Sequence, residues 1–455
     1  MAAPSLPQEV FDKITDSVAH EHPNESLSNL SLTSRSHFLE RCRFHIFGYF
    51  RIEGTAPYGM IKILETNPSL LARVRRLDIV FEAWYGPEGD PQDILVLLDS
   101  VTELKTLCVT VKSMVTGLDL AEWIPKSDFC REALAKLFSR PLVNLEIIDY
   151  PNFPSHLIRS LRLQSLAVGH GTSFSEDDCG EPQDNWRLKS LECYSFGGLS
   201  TIDNLLKWCS SPVYANLVNL HFAIQDMKCH ENAWSIIKSA SEGSCLESLS
   251  LVYMPRGNED LVRECYGKLA SSRLAIPPFP LLRCIDIAIS LDYPSAGTSI
   301  IAPDLIPDFT KLLLCASPQP SLEVIDMRFF WMLPAITLEE LRRSSKRFID
   351  DTRGWDQIDA TLTSLDLFPK LRAICISPVP NLRGGLLSWE DMRIAGEWVR
   401  KEIMAAFPRA CAREGMVFQW VKSHDAFAKI RREVVSEVEH RFETFKRVQH
   451  VYPGF

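Results

Sequence analysis

The side chains that could do chemistry are few and widely separated along the chain. Cys229 and His230 are adjacent and come nearest to a metal-binding fragment, but no further ligand follows them at metal-binding spacing. Cys130 and Cys265 have no neighbouring base that would activate either thiol as a nucleophile. The sequence also lacks Gly-rich phosphate loops, the Gly-x-Ser-x-Gly elbow and the His-Glu-x-x-His zinc motif. We therefore expect a protein that is not an enzyme and that carries no cofactor.

The composition is that of a folded protein outside the secretory pathway. Apolar residues make up 46% of the chain and charged residues 24%, and no apolar run is long enough to span a membrane. The N-terminus has neither the basic nor the apolar part of a signal peptide. The 13 cysteines include no Cys-x-x-Cys pair, which is typical of reduced thiols. We expect a cytoplasmic or nuclear protein, and the net charge of −9 weighs against nucleic acid as its partner.

A short motif recurs ten times between Val74 and Ile376. Each copy has a leucine or valine, two variable residues, an apolar residue, one variable residue and a final apolar residue. The last two apolar positions of the ten copies are Leu77 and Ile79, Leu107 and Val109, Leu145 and Ile147, Leu166 and Val168, Leu191 and Cys193, Leu220 and Phe222, Leu249 and Leu251, Ile285 and Ile287, Ile325 and Met327, and Ile374 and Ile376. Their alternation predicts strands. Apolar residues at helical spacing lie between many of the copies, and this predicts a parallel sheet covered by helices.

This array resembles the leucine-rich-repeat family in its irregular form. The resemblance implies an α/β solenoid, in which each repeat buries its leucines against its neighbours. The Asn or Cys that usually follows the last leucine is mostly missing, and the repeat spacing is uneven. A general α/β protein with many leucine-rich strands is the alternative.

The variable residue between the last two apolar positions should lie on the open face of the sheet. In chain order these residues are Asp78, Cys108, Glu146, Ala167, Glu192, His221, Ser250, Asp286, Asp326 and Cys375. Five of the ten are acidic and none is Lys or Arg, so strands stacked in register would carry a discontinuous acidic stripe. We predict that Asp78, Glu146, Glu192, His221, Asp286 and Asp326 bind a protein substrate with a basic surface. The alternative is a solvated face that neighbours such as Arg76 and Arg328 neutralise.

The first fifty residues predict three short helices. Val10, Ile14 and Val18 recur every four residues, and Pro7 suits a first helical turn. Leu27, Leu30 and Leu32 then mark a second short helix, and the apolar residues from Phe38 to Phe47 mark a third. A unit of this size has a small core and depends on a partner or a neighbouring domain for stability.

This segment resembles the F-box, which docks onto the Skp1 subunit of cullin-RING ubiquitin ligases. The resemblance lies in Leu6-Pro7-Gln8-Glu9-Val10, in Ile14, in Leu30-Ser31-Leu32-Thr33-Ser34-Arg35, in Phe38, Arg41 and Phe44, and in His45-Ile46-Phe47. It is similar to the large F-box-like family of fungi, although many F-boxes place a Trp where His37-Phe38 stands here. The resemblance implies that Leu6, Pro7, Val10, Ile14, Leu30 and Phe38 contact a Skp1-like protein. The alternative is that these helices only cover the first turn of the array.

The sequence pattern changes after Ile376. Residues 388–406 predict an amphipathic helix and residues 416–421 a final strand. Apolar residues from Phe427 to Val448 then follow at spacings of three and four, which predicts one apolar face of a long helix. We expect this helix to close the end of the array. A membrane-surface helix is the alternative, and the mixed charges on the polar face disfavour it.

Together these features predict an α/β protein of three parts. They are an F-box-like docking module over 1–50, a leucine-rich-repeat-like solenoid with parallel strands over 51–386, and a helical C-terminal cap over 387–455. The predicted function is that of a substrate-recognition adaptor of a Skp1-cullin-F-box ubiquitin ligase, with a Skp1-like protein and a protein substrate as partners and with neither nucleic acid nor membrane. The alternative is a protein-binding scaffold that works without a ligase.

Overall fold

A computed structural model describes residues 7–21, 25–34, 37–53, 66–82, 98–112, 128–159, 161–169, 172–174, 186–193, 211–253, 275–290, 318–333, 337–351, 354–382, 389–419, 430 and 433–434. These residues fall into two compact units, Met1–Gly180 and Glu181–Phe455. Each unit contains parallel strands that follow one another in chain order.

The first unit begins with three helices, α1 (Gln8–Glu21), α2 (Glu25–Thr33) and α3 (Leu39–Gly48). Three residues form their buried centre, which comprises Leu27, Phe38 and Cys42. Half-buried Phe11, Val18, Leu30 and Ile46 pack around that centre. Phe11 and Val18 lie seven residues apart on α1 and so share one helix face. The small core agrees with the short helices that the sequence predicts.

Five parallel strands follow in the first unit. They are β1 (Tyr49–Glu53), β2 (Arg76–Glu82), β3 (Thr106–Lys112), β4 (Asn144–Ile148) and β5 (Ser165–Val168), each paired with the next. The short helices of this part are α4 (Pro68–Leu71), α5 (Asp128–Phe138) and α6 (Ser155–Arg159).

The second unit has seven parallel strands in its described part. They are β6 (Ser190–Cys193), β7 (Asn219–Ile224), β8 (Ser248–Tyr253), β9 (Cys284–Ser290), β10 (Val324–Leu333), β11 (Ala373–Leu382) and β12 (Val417–Gln419), again paired in chain order. Its helices are α7 (Ser211–Tyr214), α8 (Met227–Gly243), α9 (Leu338–Asp351), α10 (Trp355–Leu362), α11 (Trp389–Ala406) and α12 (Pro408–Ala412).

The two sides of the strands differ in character. On the first face lie the repeated apolar positions, such as Leu77, Val109 and Leu220, which are essentially inaccessible to water. On the second face lie the residues between them, such as Asp78 and His221. All ten copies of the sequence motif form strands, and their parallel pairing confirms the predicted parallel sheet of an α/β protein, which is compatible with a solenoid.

Among the described strands, β1 is not predicted by the sequence pattern. Its signal is short, because only Phe50 and Ile52 alternate with Tyr49, Arg51 and Glu53. Phe50 and Ile52 are buried on the first face and pair in register with Leu77 and Ile79 of β2.

Polar side chains join successive repeats at their turns. The Gln319 side chain accepts a hydrogen bond from the Phe279 amide (2.9 Å) and donates one to the Pro277 carbonyl (2.9 Å). In the first unit the Thr172 hydroxyl accepts from the Tyr150 amide (3.3 Å) and donates to the Ile147 carbonyl (3.2 Å). These bonds satisfy buried backbone groups that would otherwise destabilise the turns.

Helix α8 shows how a repeat helix is begun and ended by its sequence. The Asp226 carboxylate accepts a hydrogen bond from the Cys229 amide (2.8 Å), so it caps the N-terminus. At the other end, a Cβ on Gly243 would overlap the carbonyl of Ala215, so only glycine fits there. None of the described helices is both long and apolar enough to cross a membrane.

Candidate protein-binding surfaces

Four of the six residues that the F-box resemblance singles out lie on or near the surface of the three helices. Pro7, Val10 and Ile14 are exposed, and Leu30 is half-buried against the core. Phe38 is buried in the core, with 9% of its surface accessible. Leu6 lies outside the described residues.

His37 and Phe38, which stand where many F-boxes have a Trp, both pack on Phe11. The His37 ring stacks on the Phe11 ring with centroids 4.4 Å apart, and the Phe38 ring meets Phe11 edge-on at 5.2 Å. The Gln8 side chain donates a hydrogen bond to the His37 carbonyl (2.9 Å), which ties α1 to the turn before α3. The pair therefore joins α1 to the start of α3.

Apolar side chains remain exposed on α1 and on α2. Val10 is 37% exposed, Ile14 41% and Leu32 70%. Seven large hydrophobic residues are exposed in the described part of the chain, and three of them lie in this short segment. Val10 and Ile14 are one helical turn apart on α1, so they form a continuous ridge. Exposed apolar residues concentrated in this way are typical of a protein-binding surface.

The second face of the first unit carries a ladder of side chains in register. Arg51, Asp78, Cys108, Glu146 and Ala167 follow one another directly across β1 to β5. The predicted residues Asp78 and Glu146 are thus on one row, separated by Cys108. The row is not purely acidic, because Arg51 continues it at the β1 end.

Asp78 is held by two neighbours on the same face. Its carboxylate accepts hydrogen bonds from Arg76 Nε (3.0 Å) and from the Tyr49 hydroxyl (2.9 Å), and the Arg76 guanidinium also lies over the Tyr49 ring. Burial, followed by the charge of Asp78 and its hydrogen bond, raises the pKa of Tyr49 to about 12. Burial and then the charges of Glu146 and Asp78 raise the pKa of the Cys108 thiol, which is therefore an unreactive thiol.

The second unit continues the pattern with a longer ladder. Its row comprises Glu192, His221, Ser250, Asp286, Asp326, Cys375 and Gln419. Glu192 and His221 are half-buried, and Glu192 accepts a hydrogen bond from the Asn219 side chain (3.1 Å). The register places Asp286 of β9 directly beside Asp326 of β10.

Asp286 and Asp326 are far less accessible than an open face would make them. Asp286 is 8% exposed and Asp326 is fully buried. Arg328, two residues along β10, lies 3.7 Å from the Asp326 carboxylate. The acidic charge is thus partly offset by arginines on the same face, as Arg76 offsets Asp78. The half-buried acids Glu146 and Glu192 are the more accessible part of the predicted stripe.

The row beside the acids changes character along the second unit. It reads Ser190, Asn219 and Ser248 on β6 to β8, and then Cys284, Val324, Ala373 and Val417 on β9 to β12. Val434 is fully buried against this apolar part, and half-buried Ile430 and Val417 pack beside it. The side chain of Val434 therefore covers the second face at these strands.

Cys229 and His230 contribute to packing on α8. The His230 ring stacks on Trp234 with centroids 4.6 Å apart, and its Nδ1 lies 3.1 Å from the Tyr253 hydroxyl. Burial lowers the pKa of His230 to about 4, so the ring is neutral at pH 7. Within the described ranges no group of three or more His, Cys, Asp or Glu side chains could hold a metal ion.

No family model matches the chain, and no curated protein matches it. One solved structure that it resembles is a protein from Bacteroides fragilis determined by structural genomics, at 15% sequence identity. The match covers 82% of this chain and 74% of that protein, with a TM-score of 0.27, which is too low to establish a shared fold.

Proposed function

We propose that this protein is a substrate-recognition adaptor of a Skp1-cullin-F-box type ubiquitin ligase. The N-terminal helices bind a Skp1-like protein and the second face of the strands binds a protein substrate, in the cytoplasm, the nucleus or both. The exposed ridge of Val10 and Ile14 on α1 carries the proposal, because it presents the residues that the F-box resemblance assigns to the partner.

Binding at two surfaces is enough to explain such a function without any catalytic residue. An adaptor raises the effective concentration of substrate lysines near the ligase's conjugating enzyme by holding both on one chain. The docking end needs a small apolar ridge, which the three helices provide. The substrate end needs polar groups in fixed positions, which the in-register side chains of β2 to β5 provide in the first unit and those of β6 to β8 provide in the second.

The polar face favours a substrate that offers hydrogen-bond donors and positive charge. Glu146 and Glu192 are the accessible acids on the ladder rows, and His221 lies beside Glu192. The pairing of Asp78 with Arg76 reduces its attraction for a basic partner. The interaction should therefore depend on Glu146 and Glu192 more than on Asp78, and it should weaken as salt screens the charges.

Co-purification with recombinant Skp1 tests the docking surface. Ile14→Asp places a charge in the proposed interface, whereas Leu365→Asp makes the same kind of change at a 63% exposed site remote in sequence. Burying an isoleucine contributes about 1.5–3 kcal/mol, so the loss should be about tenfold to a hundredfold in affinity. Leu365→Asp should bind as the wild type does.

Two results would argue against the adaptor. If the wild type recovers no Skp1, the proposed docking onto a ligase is refuted. Equal recovery of Skp1 by the Ile14→Asp and Leu365→Asp variants would refute it as well. Substrate partners recovered unchanged after deletion of residues 1–50, from a chain that binds no Skp1, would favour the ligase-independent scaffold.

A further inference from the structure

The second face of β9 to β11 is already covered by part of the chain. Val434 is inaccessible to water and lies in one cluster with Cys284, Val324, Ala373 and Cys375. All four strand residues belong to the second face. The alternating residues Ile285, Ile325 and Ile374, which are next to them in sequence, lie on the first face. Residues Ile430, Glu433 and Val434, here called the C-terminal segment, are helical.

The strands beneath the C-terminal segment are adapted to a helix. The row of side chains that contacts Val434 is polar on β6 to β8, where it comprises Ser190, Asn219 and Ser248. On β9 to β12 the same row consists of small or apolar residues. Ile430 and Val434 are four residues apart, so both contact this row from one side of a helix. Glu433 reaches Arg372, just before β11, at 3.8 Å. In the sequence, Arg431 and Arg432 stand between Ile430 and Glu433.

The sheet does not depend on this contact for its integrity. The backbone pairing of β9, β10 and β11 runs over seven or more residues, and the first face is packed by its own isoleucines. The C-terminal segment contributes one fully buried side chain, and the Glu433 side chain remains 49% exposed. An ion pair that exposed is weak. Releasing the segment would therefore uncover the face and leave the strands paired.

We propose that the second face of β9 to β12 is a helix-binding surface whose resident ligand is the C-terminal segment, held in exchange with solution. The partner it fits is an amphipathic helix with aliphatic side chains four residues apart. The assignment of such a helix to the substrate rests on the function proposed above. The exchange of the C-terminal segment does not depend on that function. A substrate helix would bind by displacing the segment, which then acts as an autoinhibitory strap.

Thiol labelling of the native full-length chain tests the exchange. Cys375 is fully buried beneath Val434, and Cys193 is fully buried on the first face of β6 as an internal control. Each labelling rate is read by peptide mass spectrometry and normalised to the rate of the same thiol in the unfolded chain. We expect Cys375 to react at least tenfold faster than Cys193, with no dependence on low urea. Equal rates with equal urea dependence would overturn the proposal, because they would make the segment a permanent part of the core.

The Val434→Asp variant sharpens the same measurement. It should raise the Cys375 rate at least tenfold and leave Cys193 unchanged. If both thiols react faster, the variant has loosened the whole unit, and the wild-type comparison of the two thiols decides the question alone.

A fluorescent peptide of residues 427–448 tests the helix-binding surface. It should bind full-length Val434→Asp at least tenfold more tightly than the wild type, whose surface is occupied. The same peptide with Val434→Asp should not bind. Equal binding of the wild-type peptide to both proteins, or binding to neither, would overturn the assignment. None of these readouts involves Skp1 or a substrate, so their failure leaves the adaptor proposal to its own test.

Discussion

Replacing Asp78 with Asn should destabilise the first unit, because this carboxylate is the acceptor for two neighbours on the second face. Its side chain is 10% exposed, and it accepts from Arg76 Nε and the Tyr49 hydroxyl at 3.0 and 2.9 Å. Asn keeps one acceptor oxygen and loses the charge. Hydrogen bonds to charged groups contribute about 1.5–3 kcal/mol each, so the expected loss is about 2–4 kcal/mol in the free energy of unfolding.

Asp99→Asn is the matched control for this prediction. Asp99 pairs with Lys136 at 2.6 Å, a shorter contact than that of Asp78 with Arg76, but its side chain is 57% exposed. Exposed ion pairs contribute about 0–1 kcal/mol, so this variant should be nearly neutral. Urea unfolding followed by circular dichroism measures both. A loss in Asp78→Asn no larger than that in Asp99→Asn would show that burial is not what gives the Asp78 contacts their strength.

Three further changes have expected outcomes. The pKa of Tyr49 is raised to about 12, so its contribution to stability is complete below pH 10 and is lost as the pH rises from 10 to 12. The Tyr49→Phe variant should therefore lack this part of the alkaline decline in unfolding temperature. The lowered pKa of His230, about 4, gives a contribution that is complete above pH 6.5 and is lost as the pH falls towards 4, so His230→Phe should flatten the acid side of the same profile. Asp359 is buried, and its carboxylate accepts hydrogen bonds from the backbone amides of Arg409 (2.9 Å) and Ala410 (2.8 Å) at the start of α12. The Asp359→Ala variant should therefore lose about 3–5 kcal/mol of unfolding free energy, measured by urea unfolding. A loss below about 0.5 kcal/mol would contradict the capping role.

The sequence by itself determined the described strands other than β1, and it determined their faces and their register. A period of two assigns Leu77 and Ile79 to one side and Asp78 to the other, and a one-residue slip would bury every polar residue of the row. Repetition of the motif then required the strands to stack in chain order. For this reason the rows through Asp78 and Glu146, and through Glu192 and Asp326, are in register as predicted.

The sequence could also place Val10 and Ile14 on one ridge of a helix, since spacing alone decides which residues share a helix face. It could not show that Phe38 turns inward, because that depends on the contact with Phe11 in another helix. The short strand β1 was missed for a related reason. Two alternating residues are too few to predict a strand directly after a helical sequence pattern. The pairing of these residues with β2 is what makes them a strand.

Only the tertiary structure decided which acids are accessible. Glu192 and Asp326 occupy the same position in their repeats, yet Glu192 is half-buried and Asp326 is inaccessible. Arg328 lies 3.7 Å from Asp326 on the same strand, and Val434 packs across the neighbouring row of that repeat. Local alternation determines the side of a sheet on which a residue lies. Contacts between residues distant in sequence determine whether water, or another part of the chain, meets it there.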